Sequence, residues 1–197
     1  MLRRPLVLAL AAVLAAIVAG GALAANVKVR VEGKTQTIFG AAQPTLVADN
    51  ALQALDVASV AGEFHYGLTT ASFGSYVSQI GKYAAAGNSG WAFKVNGVAP
   101  PVGAEQVTLK DGDVVLWYFA TFGPAGGPQT LELKRLPGNC YLAESVDDAG
   151  RRTRARNVTL VSGKKRVRAP QGRACIGRHT QPVKAIAPGA VRSNAVR

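Results

Sequence analysis

Two tight-turn signals, Asn96-Gly97 and Lys110-Asp111-Gly112-Asp113, confine what residues 89–119, SGWAFKVNGVAPPVGAEQVTLKDGDVVLWYF, can fold into. Ahead of the first, Trp91, Phe93 and Val95 alternate with Ala92 and Lys94, so an extended strand would face the two sets in opposite directions. Asn-Gly tolerates the positive φ angles of a two-residue hairpin turn. Pro100 and Pro101 then exclude a regular central strand, because proline brings no N–H to a ladder. Beyond the second turn, residues 114–119 are apolar without alternation. Such a strand is covered on both faces, or is central and faces a partner. Trp91, Phe93, Trp117 and Phe119 fit a core packed across adjacent strands, since cross-strand aromatic pairs stabilise small sheets. Tyr118 points away from Trp117 and Phe119. With Phe122, Tyr76 or Tyr83 it would make an exposed platform for a flat ligand or a sugar. Core and platform both stand at this level.

Upstream, Val27, Val29 and Val31 alternate with Lys28, Arg30 and Glu32, the pattern of a half-buried strand. A turn at Glu32-Gly33-Lys34 lets residues 35–39 return as the second strand of a hairpin. In ADNALQALDVASVAGE, Asp49 is the expected N-cap. Ala51, Leu52, Leu55 and Ala58 share a face, and Gly62 sits at the C-cap position. That apolar face is small, so the helix should lie close against a sheet. Two short β-like stretches follow near residues 63–68 and 72–80. A hairpin, a helix laid across it and further strands predict an α+β roll of the β-grasp type.

The motif GWAFKVNG, followed by LKDGDVVLWYF, resembles the transcobalamin-like C-terminal domain, a bacterial extracellular module. The matching residues are Trp91, Asn96, Gly97, Gly112, Asp113 and Trp117, and the helix with NALQAL fits the same pattern. The resemblance spans residues 25–122. It implies a β-grasp-like fold, an extracellular setting and kinship to the smaller domain of the vitamin B12 carriers, with cobalamin as a ligand class. Those carriers clamp the corrinoid between two domains, and one short helix cannot supply their large helical partner domain.

Charge divides the chain. Residues 25–127 carry 6 Lys/Arg and 7 Asp/Glu, whereas residues 128–197 carry 15 and 4. Such a step marks a boundary, and the Gly/Pro-rich FGPAGGP coincides with it, so residues 123–129 read as a linker. Beyond it, short strands recur at intervals of about ten residues with turn signals between, which predicts a small all-β sandwich over residues 130–197. AVRSNAVR should close it. The spacing of DDAGR, APQGRA and AIAPGAVRSN resembles the immunoglobulin-like modules that follow such domains in bacterial surface proteins.

A sandwich this small needs a staple, and the chain has two cysteines, Cys140 and Cys175. In an oxidising compartment an even pair suggests a disulfide, worth about 4 kcal/mol for a loop of this length. Two unpaired thiols are the alternative. Arg151, Arg152, Arg154 and Arg156, and Lys164, Lys165, Arg166 and Arg168, would make one face electropositive. That face either attracts a cell-envelope polyanion such as a wall polymer, anionic lipid heads or extracellular DNA, or is merely a solvated basic surface. No helix or nucleic-acid motif accompanies the charge, so base-specific reading is not expected.

Arg3 and Arg4, an apolar run over residues 6–19 and Ala22-Leu23-Ala24 form a signal peptide, residues 1–24, with cleavage before Ala25. An uncleaved membrane anchor is the alternative. No G-x-S-x-G, H-E-x-x-H or phosphate loop occurs, so the expectation is a non-catalytic protein without a cofactor. His65 with Ser72 or Ser75, and an Asp within hydrogen-bond reach, would be the route to hydrolysis. Asp111 and Asp113 fall short of a calcium loop and suit a turn. The sequence thus predicts an exported binding module, or else a structural surface spacer.

Overall fold

A computed structural model describes residues 24–71, 74–124 and 126–197. The signal-peptide reading of residues 1–24, apart from Ala24, and Ser72 lie outside the described residues. The fold is mostly β with one α-helix and several sheets, none of which closes into a barrel among the described residues.

The first part runs β1 (Ala25–Glu32), β2 (Thr37–Phe39), β3 (Thr45–Ala48), α1 (Ala51–Ala61), β4 (Tyr66–Ala71), β5 (Gly74–Ile80), β6 (Tyr83–Ala84), β7 (Ser89–Val95) and β8 (Val114–Thr121). Its main sheet has the order β2-β1-β8-β7, with β3 also on β1. β1 and β8 are parallel and β7 and β8 antiparallel. The register sets Trp91 opposite Phe119 and Phe93 opposite Trp117. β4, β5 and β6 form a separate three-stranded sheet. Helix α1 covers one face of the main sheet, bringing Ala51, Ala54, Leu55 and Ala58 against Val27, Val29, Val31, Val115 and Trp117. Alanine at three of these positions allows the close approach the small apolar face demanded.

The helix cap differs from expectation. Asn50, not Asp49, is the N-cap: its side chain accepts from Gln53 N at 2.9 Å and its carbonyl accepts from Ala54 N. The Asp49 carbonyl instead accepts from Leu109 N, which ties that residue to the segment before β8.

The second part runs β9 (Thr130–Leu136), β10 (Cys140–Val146), β11 (Arg152–Arg154), β12 (Val158–Ser162), β13 (Lys165–Ala169), β14 (Arg173–Cys175) and β15 (Lys184–Ile186). One sheet is built on β10, with β9 along one side and β11 and β14 on the other. The second has the order β13-β12-β15. They share a core of Leu131, Leu133, Tyr141 and Ala143 with Val158, Leu160, Ala169, Val183 and Ala185. The Cys140–Cys175 disulfide forms. It joins directly opposed residues of β10 and β14, so it staples neighbours within one sheet.

AVRSNAVR does not close the fold as a strand. It touches the sheets at single bridges, Val191 to Thr130 and Val196 to Val183. Side chains replace the ladder: Asn194 takes both backbone groups of Leu133, and Ser193 Oγ accepts from Ala185 N.

The half-buried reading of β1 is also corrected. Arg30 and Glu32 are buried, because the second part covers the face of the main sheet opposite α1. On that face Leu116, Tyr118 and Ala120 meet Val191. Arg192 pairs with Glu32, and Lys94 pairs with Asp148. β8 is therefore central and covered on both faces, as its unbroken apolar run required.

Candidate functional site

The motif residues divide into scaffold and wall. Asn96 and Gly97 both have positive φ, 54° and 88°, as a two-residue hairpin turn requires. Asn96 Nδ2 donates to Asp113 Oδ1 at 2.7 Å, and Val114 N donates to Asn96 Oδ1 at 2.9 Å. Asp113 Oδ2 accepts from Lys110 N, Asp111 Oδ1 accepts from Asn26 N, and Gly112 has φ 87°. These residues lock the two turns to each other. Trp91 meets Phe119 edge-on at 5.5 Å, and Phe93 stacks on Trp117 at 5.0 Å. The indole N–H groups are satisfied by backbone, Trp91 by Tyr83 O and Trp117 by Ala51 O. Their apolar faces are thereby left to form walls.

Those walls bound a cavity of about 550 Å³ beside β7, the last strand of the main sheet. Trp91, Phe93 and Trp117 line it from the sheet, Leu52 from α1, and Tyr76 from β5. Among the described residues the exposed large hydrophobics are Val47, Val60, Leu68, Tyr76, Val98, Val102 and Phe122. Four of these seven, Leu68, Tyr76, Val102 and Phe122, ring this one cavity at 37–47 % exposure. Scattered apolar groups need no explanation, but a contiguous set around a concavity does.

Tyr118, Phe122 and Tyr76 thus meet at one cavity, but not as an open platform. Tyr118 is 1 % exposed, because its face of β8 lies under the second part of the chain. Burial, and then the charge of Asp148, push its phenol well above the ordinary tyrosine range. Tyr83 is elsewhere. Its hydroxyl sits 2.7 Å from Thr35 Oγ1 and its ring lies against Phe119.

Glu105 and Asp148 are the ionisable carboxylates of the lining, and Asp148 Oδ1 lies 3.1 Å from Lys94 Nζ. No His, Cys, Lys or Arg is among the described lining residues. His65 is exposed ahead of β4, while Ser75 pairs opposite Thr70 toward the other end of that hairpin, so the two are not brought together. No group of three or more His, Cys, Asp or Glu that could hold a metal ion occurs among the described residues. Leu52 was read only as part of the helix's apolar face, and Leu68, Val102 and Glu105 were not picked out from sequence. The available signal was Val98 and Val102 flanking Pro100-Pro101, apolar residues in a segment barred from the ladder.

The eight basic residues do not form one face. Arg151 Nε is 2.7 Å from Asp147 Oδ2, and Arg152 forks onto Glu132 with two contacts of 3.1 Å. Arg154 and Arg156 line a separate groove with Arg151. On β13, Arg166 stands opposite Val161 and Arg168 opposite Thr159. Lys164 and Lys165 are exposed beside them, and Lys165 Nζ donates to Arg178 O.

Residues 47–121 match a family described as a domain of unknown function, DUF4430. The match falls within the stretch that carries the transcobalamin-like resemblance. A crystal structure of a candidate metal-binding protein from Ruminococcus gnavus is similar over 50 % of this chain and 99 % of its own, at 14 % identity and a TM-score of 0.38. No curated protein matches the sequence.

Proposed function

We propose that this protein is a non-catalytic binding module that works outside the cell and holds a small, largely apolar molecule in the cavity beside β7. In this reading the first part is a β-grasp-like, transcobalamin-like domain, and the second an immunoglobulin-like sandwich docked on its back. The observation that carries it is the ring of Leu68, Tyr76, Val102 and Phe122 around a floor of Trp91, Phe93 and Trp117. A volume of about 550 Å³ lies within the range of small-molecule pockets, about 300–1,000 Å³. With Glu105 and Asp148 as the charged lining, the ligand is neutral or cationic. Cobalamin is retained as one such ligand, held by part of its surface.

Both tryptophans of the chain line the cavity, so their emission reports occupancy. The full chain is titrated with cyanocobalamin and with Nile red, a flat neutral dye. The expected result is a saturable change in tryptophan emission with at least one probe, with affinity lowered about tenfold, or about 1.4 kcal/mol, by Phe122→Ala and by Leu68→Ala. Absence of saturation with either probe, or affinities untouched by both substitutions, overturns the reading and leaves the structural spacer.

A further inference from the structure

A second concavity, of about 670 Å³, lies where the two parts of the chain meet. Its lining includes four cations from four separate segments: Lys34 in the turn after β1, Arg166 on β13, Lys184 on β15 and Arg192 in the C-terminal segment. Among the described residues no Asp or Glu lines it. The nearby carboxylate is Glu32, which is buried and fully used. It accepts from Arg30 at 3.3 Å, from Thr37 Oγ1 at 2.9 and 3.0 Å, and from Arg192 Nε at 2.9 Å. One negative charge therefore pairs with Arg30 and Arg192 and also attracts Lys184 through space, and Lys34 and Arg166 have no ion-pair partner among the described residues.

Lys34 and Arg166 are exposed, but Lys184 is half-buried, and positive charge partly withdrawn from water in excess of its counter-charge is costly unless an anion is supplied. The donors to meet one are present. Arg192 is committed to Glu32, Gly33 O and Lys34 O, so it contributes field. Lys184 Nζ donates once, to Thr37 Oγ1 at 2.7 Å, and keeps two N–H groups. Lys34 and Arg166 keep all of theirs. Val161, Pro182 and Ile186 add an apolar wall.

We propose that this cleft is a binding site for a phosphate monoester, with the phosphate among Lys34, Arg166 and Lys184 and the organic part against Val161 and Ile186. A phosphate offers three acceptor oxygens and up to two charges, which suits donors arriving from three segments. A carboxylate offers two oxygens and one charge. An extended polymer lying on exposed arginines would need no concavity. Half-burial lowers the Lys184 pKa, despite the opposing pull of Glu32. A bound anion would relieve that cost. The proposal is independent of the cavity beside β7.

The test is calorimetric titration of the full chain with inorganic phosphate, against sodium chloride at equal ionic strength. Vesicles of phosphatidic acid in phosphatidylcholine form a second arm for a lipid source of the same group. The expected result is saturable binding of phosphate or of the phosphatidic acid vesicles. Either should weaken at least tenfold in Lys184→Met and in the surface pair Lys34→Gln with Arg166→Gln. Binding to vesicles alone, lost in the pair variant, identifies a lipid headgroup as the source. The proposal is overturned by a response that chloride reproduces, by no response in either arm, or by binding that the pair variant leaves unchanged.

Discussion

Arg192 places its Nε 2.9 Å from Oε2 of Glu32, across 160 residues of sequence. Arg30 Nη1 completes the junction by donating to the Arg192 carbonyl at 2.7 Å. The end of the chain is thus bolted to its first strand through charges that local patterning assigns to solvent. Removing one member of a buried ion pair leaves an uncompensated charge, which costs more than the pair contributes. Glu32→Ala, which strands Arg30 and Arg192, should lower unfolding stability by about 3–5 kcal/mol. Urea denaturation measures it, and a loss within about 0.5 kcal/mol, the ordinary surface range, would contradict the burial described.

Lys94 is the second bolt. Fully buried, it reaches Asp147 O at 2.9 Å, Val146 O at 3.2 Å and Asp148 Oδ1 at 3.1 Å. Lys94→Met keeps the stem but leaves Asp147 O without this donor and Val146 O with Thr130 Oγ1 at 3.3 Å, at about 1–3 kcal/mol for a group left unpaired that water does not reach. The expected signature is a lower denaturation midpoint together with faster amide exchange at the 146–148 turn. Unchanged exchange there would mean that the lysine does not hold that turn.

The cap assignment separates two adjacent residues. Asn50→Ala should cost about 1 kcal/mol by removing the acceptor of Gln53 N. Asp49→Ala should cost less, since its buried Oδ1 has no hydrogen-bond partner. Thermal melts of the two variants side by side decide it, and the reverse order would restore Asp49 as the cap.

Reduction of Cys140–Cys175 frees β14, a three-residue strand, from β10. By chain entropy the loss is about 4 kcal/mol, and Cys140→Ser with Cys175→Ser should reproduce it. Denaturation with and without dithiothreitol supplies the comparison. A melt indifferent to reductant would show that the core of the second part suffices alone.

Lys184 gives a pH dependence with a definite sign. Its pKa is lowered from 10.5, chiefly by burial, with Glu32 opposing and Arg192 and Arg30 adding to the fall. Between the lowered value and 10.5 the unfolded chain holds a proton that the folded chain has released. Unfolding free energy therefore rises with pH across that window. Lys184→Met should remove this rise. Stability curves of the two proteins from neutral to alkaline pH that run parallel would refute it.

The sequence by itself determined the local elements. Alternation in β1, the Asn96-Gly97 and Gly112-Asp113 turns, the apolar run of β8, the helix and the paired cysteines all follow from φ preference, period and composition, which act between near neighbours. It also brought Tyr76, Tyr118 and Phe122 under suspicion together. Only the tertiary structure decided which faces meet. Arg30, Glu32 and Lys94 read as the wet side of half-buried strands because burial by a segment up to 162 residues away leaves no local trace. The same docking sank Tyr118, while packing within each part set Tyr83 against Thr35 and Phe119 and divided the eight basic residues among acid partners, a groove and an exposed face. Period says that a strand has two faces; what covers each is set by long-range packing, and that alone turned four scattered hydrophobics into the rim of one cavity.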